Sequence, residues 1–74
     1  MARLIRDLPG AQPVDKHGMA SGPPVVLPAG AEFIITVRKL KRVDDSFDPL
    51  WCEIRIGDQL YRVPLRLLDI AKAA

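Results

Sequence analysis

The chain has 74 residues, 49% hydrophobic and 27% charged, with a formal net charge of +2. A chain of that length folds as one domain, residues 1–74, with no second core, and its composition excludes wholesale disorder. No apolar run nears the roughly 20 residues that cross a bilayer, and MARLIRDLPG lacks the apolar stretch of a signal peptide. A cytoplasmic address without membrane attachment is therefore expected, and the lone Cys52 agrees with it.

ARLIR, residues 2–6, predicts a short edge strand ended by Asp7 and the Pro9-Gly10 pair. Residues 9–30, PGAQPVDKHGMASGPPVVLPAG, hold five Pro and four Gly. That density excludes a helix and disfavours a central strand, so a long irregular loop or arm is predicted. A clear strand signal follows in AEFIITVRKLKRV, where Phe33, Ile35 and Val37 share one face and Ile34, Thr36 and Arg38 the other. The apolar phase shifts by one at Leu40, which predicts a bulge near Arg38 and Lys39. Arg38, Lys39, Lys41 and Arg42 are followed at once by Asp44, Asp45 and Asp48. These opposite charges largely cancel at a distance, and they read as a solvated strand end running into an acidic loop.

LWCEIRIGDQLYRVP, residues 50–64, carries the chain's Trp, Cys and Tyr. A two-residue turn at Gly57-Asp58, with Gly supplying a positive φ, fixes the register on both sides. Ile56 then faces Gln59, Arg55 faces Leu60, Ile54 faces Tyr61, Glu53 faces Arg62, Cys52 faces Val63 and Trp51 faces Pro64. Cys52, Ile54, Ile56, Tyr61 and Val63 fall on an inner face; Trp51, Glu53, Arg55, Arg62 and Pro64 fall on an outer one, with Glu53 and Arg62 as an opposite-charge pair. Trp51 is thereby predicted to point away from the core, beside Pro64. In PLRLLDIAKAA, Pro64 suits a helix start and Leu65, Leu68 and Ala71 recur at a helical spacing, which predicts one or two helical turns. A 3₁₀ turn at residues 65–68 followed by a short strand at Asp69 and Ile70 is the alternative.

The order of strand, long loop, strand, acidic loop, tight hairpin and Pro-led helical turn resembles the SH3-like barrel of bacterial or phage type. The resemblance implies a mostly β fold, a small barrel of about five short strands with a long Pro/Gly-rich loop and a C-terminal helical turn. YRVPLRLL resembles the family's closing segment. Such domains bind partners on a Trp and a Pro standing side by side, which is the pair the hairpin register assembles at Trp51 and Pro64. The family's tyrosines and its acidic first loop are replaced here by ARLIRD, Leu67 and a lone Asp15.

Residues suited to catalysis are sparse. His17 lies in the predicted arm and Cys52 on the inner face, where a thiol is a small inert hydrophobe. Asp44, Asp45 and Asp48 lack the spacing, Gly and closing Glu of a calcium loop, and one His with one Cys falls short of a zinc set. No cofactor, metal or catalytic residue is expected. The reading is a non-enzymatic protein-interaction module whose patch comprises Trp51, Pro64, Arg55, Arg62 and Leu60. Its occupant is left open between a protein partner, the chain's own GPPVVLP arm and a second copy that makes a homo-oligomer. Two alternatives stand beside it: a nucleic-acid-binding barrel using Arg38, Lys39, Lys41, Arg42 and Arg66, and a subunit of an oligomeric enzyme similar to type II dihydrofolate reductase.

Overall fold

A computed structural model describes residues 1–38, 40–41, 47–48 and 50–72, the side chains of 40–41 and 47–48 excepted. The fold is mostly β. Among the described residues eight strands precede one helix: β1 (Ala2–Arg3), β2 (Leu8–Val14), β3 (Val25–Leu27), β4 (Glu32–Val37), β5 (Leu40–Lys41), β6 (Phe47–Asp48), β7 (Trp51–Ile56), β8 (Gln59–Pro64) and α1 (Leu65–Ala71). Six form one antiparallel sheet in the order β1-β4-β7-β8-β2-β3, and β5 pairs with β6 apart from it.

The β7–β8 hairpin has the register that its turn dictates. Gly57 takes a φ of 59°, and all six pairs run from Ile56 against Gln59 to Trp51 against Pro64. Cys52, Ile54 and Val63 are fully buried, while Arg55 is exposed and Trp51, Glu53, Arg62 and Pro64 are half-buried. Alternation along a half-buried strand explains the split.

The Pro/Gly-rich stretch departs from expectation. Residues 9–30 are not a long irregular loop: most of β2 and all of β3 lie in them, and β2 is an interior strand between β8 and β3. Two prolines are tolerated because neither removes a bond of the β2–β8 ladder. Pro13 sits opposite Tyr61 of β8, yet its carbonyl accepts from Ser21 N at 2.9 Å on the other side. In a strand the N and C=O of one residue point the same way, so the missing N–H of Pro13 faces away from β8. Pro9 and Gly10 occupy the register shift between the Leu8–Leu27 and Ala11–Val25 pairs, and Gly10 accommodates it with a φ of 74°. The turn between β2 and β3 is closed by Asp15, whose carboxylate accepts from His17 N at 2.9 Å and Met19 N at 3.0 Å. These amides, Met19 first, hold the Asp15 carboxyl below its usual range.

The expected barrel does not close. β1 and β3 stand at opposite edges of the sheet and do not pair with each other. The chain after β1 and the chain after β3 meet instead at a corner, where Leu4 N donates to Ala31 O at 2.9 Å and Gly30 N to Leu4 O at 2.8 Å. There the Asp7 carboxylate also accepts from Ala29 N at 2.8 Å. Pro28 has no N–H to offer, and Gly30 turns the chain with a φ of 89°, so the ladder breaks where closure needs it continuous.

β4 carries a bulge ahead of the position that the phase shift suggests. Ile35 pairs with Ile54 and Val37 with Glu53, which leaves Thr36 as the extra residue. Its hydroxyl is 3.0 Å from Glu53 Oε1, and Val37 is turned out of the inner face to 39% exposure. The expected bulge position at Lys39 lies outside the described residues. Within the predicted acidic loop, Phe47 and Asp48 form β6 and pair with Lys41 and Leu40.

α1 is an α-helix of 7 residues, and the alternative of a 3₁₀ turn and strand does not form. Pro64 ends β8 in extended conformation and occupies the N-cap position, where no N–H is required of it. Leu68 and Ala71 enter a core shared with Leu4, Leu8, Ala11, Leu27, Phe33, Cys52, Ile54 and Val63. The sheet therefore presents one face to the helix and corner, and the other to solvent.

A candidate docking groove at Trp51 and Pro64

The solvent-facing side of β7 and β8 carries Trp51, Glu53, Arg55, Leu60, Arg62 and Pro64 by register. At the end remote from the Gly57 turn, Leu65 N donates to Leu50 O at 2.9 Å and locks the last pair, Trp51 and Pro64, side by side. The result is a groove of about 290 Å³ lined by Leu50, Trp51, Pro64 and Arg66. Its floor is apolar. Leu50 is 65% exposed, so one wall is an aliphatic side chain open to solvent. On the β2 side the chain passes at Gly10, whose absent Cβ would stand 4.0 Å from Pro64 Cγ.

The candidate residues do not all gather here. Four residues of strand put Arg55 about 13 Å from Trp51, toward the turn, and Leu60 lies opposite it. Arg62 donates to Gly18 O at 3.3 Å, while Glu53 is engaged with Thr36. The two are in register as expected, yet each has taken a different neighbour and they form no ion pair. Leu50 was not legible as a site residue, because nothing local says that a strand-end leucine stays exposed. Arg66 enters the groove through the helix start, a placement its basic character alone does not reveal.

The segment GPPVVLP, residues 22–28, is engaged with β2: Gln12 Nε2 donates to Gly22 O at 2.6 Å and Val25 pairs with Ala11. None of its residues lines the groove.

Of the basic stripe only Arg38 and Arg66 have described side chains, and Arg66 lines the groove. Arg38 forms an ion pair with Asp69 at 3.0 Å, and Tyr61 packs against the core rather than on the open face. Lys39 and Arg42 lie outside the described residues, as do Asp44 and Asp45, and of Lys41 only the backbone is described. Among the described residues no group of three or more His, Cys, Asp or Glu gathers, and no helix is long and apolar enough to cross a membrane.

Cys52 is fully buried. Burial pushes its thiol from the ordinary 9.0 up to about 11, with smaller effects from Arg38, Asp69 and Lys72. A thiol whose pKa is higher folded than unfolded stabilises the fold fully below pH 9, and that contribution is lost as pH rises from 9 toward 11. At pH 8, labelling of Cys52 by a disulfide reagent is expected to be about a hundredfold slower in the native protein than in denaturant, since thiolate is the reacting species. Equal rates would show that Cys52 is not in the core.

No protein-family model matches the chain, and no curated protein or solved structure matches it. The class is therefore set by architecture and site alone: a small, open, mostly β sheet with one C-terminal helix and a shallow apolar groove at its solvent-facing side.

Proposed function

We propose that this chain is a non-enzymatic protein-interaction module of SH3-like kind with an open sheet, and that it receives a protein partner in the groove at Trp51 and Pro64. The observation that carries the reading is the Trp51–Pro64 pair itself, held at the ladder's end beside an exposed Leu50. Trp is the side chain that most often concentrates interface energy, and a half-buried Trp beside an exposed Leu is a surface that a partner covers with gain. A volume near 290 Å³ is at the lower end for small-molecule sites, which favours a contact for one or two side chains over a cofactor pocket.

The test is a screen of immobilised peptides with the wild type and with Trp51→Ala. Binding should fall about thirtyfold, the effect of losing a hot spot of ~2 kcal/mol. Because Trp51 lies off the core, the melting temperature should fall by no more than about 8 °C. Binding that survives Trp51→Ala sinks the reading, as does a drop in melting temperature of several times that size.

A further inference from the structure

The charges around the groove are unequally satisfied. Arg3 pairs with Glu32 at 2.8 Å, Arg38 with Asp69 at 3.0 Å, and Lys72 with the same Asp69 oxygen at 3.6 Å. Arg62 is spent on the Gly18 carbonyl. Arg66 lines the groove and is exposed, with no carboxylate beside it among the described residues. Its nearest acidic neighbour along α1, Asp69, stands one helical turn on and already holds Arg38 and Lys72. The groove thus offers an apolar floor from Trp51 and Pro64, an aliphatic wall from Leu50, and one uncommitted guanidinium.

From this charge complementarity we infer that the groove takes an acidic peptide segment, an aliphatic side chain seated on Trp51 and Pro64 with a neighbouring carboxylate on Arg66. The inference rests on the proposed docking function and names the chemistry of the partner. A guanidinium meets a carboxylate through two parallel N–H donors, so it selects for that group as well as attracting it. A basic peptide would instead bring like charge to Arg66, the one charged residue lining the groove among the described residues. A nucleic acid fits less well, because single strands need a track of cations beneath successive stacked bases. Among the described residues Arg38 and Arg62 are held by Asp69 and Gly18, and Arg66 is the cation that lines the groove beside Trp51.

The test uses the emission of Trp51, the only Trp in the chain, titrated with acetylated and amidated hexapeptides of Leu, Val and Pro. One set carries two Glu, one two Gln and one two Lys. The Glu set is expected to bind about fivefold tighter than the Gln set, the scale of an exposed ion pair, and the Lys set weakest. In Arg66→Glu the order should invert, with the Lys set tightest. Gln or Lys peptides binding as well as Glu peptides, or an order unchanged in Arg66→Glu, overturns the acidic class and leaves the docking function standing. If no set moves the emission at millimolar peptide, both fall together. Tighter binding of oligothymidylate than of any peptide overturns the inference in favour of nucleic acid. An emission maximum that moves when the protein alone is diluted overturns it in favour of a second copy.

Discussion

Phe33→Ala is expected to cost about 3–5 kcal/mol, the range for emptying a buried aromatic site. Phe33 is the largest fully buried side chain among the described residues, 1% exposed, on the inner face of β4. At roughly 0.05–0.15 kcal/mol per residue, a chain of this length has only about 4–11 kcal/mol of stability in total. The variant should therefore be near its unfolding midpoint or beyond it in mild urea. The control is the adjacent residue. Ile34 pairs with Arg55 on the other face and is 40% exposed, so Ile34→Ala should cost under about 1 kcal/mol. Equal losses in urea titrations would mean that the register of β4 on β7 is wrong by one residue, since a single-residue slip exchanges the two faces.

Leu68→Ala should cost about 2–5 kcal/mol and separates two ways of folding the C-terminus. Leu68 is fully buried, and Ile70, two residues on, is 55% exposed. In a helix, residues two apart point in nearly opposite directions, whereas in a strand they share a face. Ile70→Ala is accordingly expected to change stability by no more than about 0.5 kcal/mol. Comparable losses for both substitutions would favour the extended alternative and remove α1. Because α1 is only 7 residues long, it has little stability of its own. Packing of Leu68 and Ala71 under the corner at Leu4 holds it in place.

The groove's position depends on the same two features. The β7 register places Trp51 outside while Cys52 goes in, and the helix start places Arg66 beside it. Weakening α1 should therefore weaken peptide binding as well as stability, whereas Phe33→Ala acts on the fold as a whole.

The sequence by itself determined the hairpin and everything that follows from its register. Strict alternation around Gly57 leaves one pairing that buries Ile54 and Val63, so Cys52 inside and Trp51 beside Pro64 are local consequences of a period of two and one turn residue. The short edge strand at Ala2 and the helical spacing of Leu65, Leu68 and Ala71 are legible for the same reason. Tertiary structure alone decided the fate of the Pro/Gly-rich segment. Whether a proline breaks a strand depends on which neighbour its missing N–H would have faced, and that neighbour is chosen by pairing with residues far along the chain, Pro13 with Tyr61. Tertiary structure also put a bulge at Thr36 of β4, left the sheet open at Pro28 and Gly30, and sent Glu53 and Arg62 to different partners. The groove joins both kinds of information. Its Trp–Pro floor follows from local alternation, while its leucine wall and free arginine exist only because a strand end and a helix start meet in space.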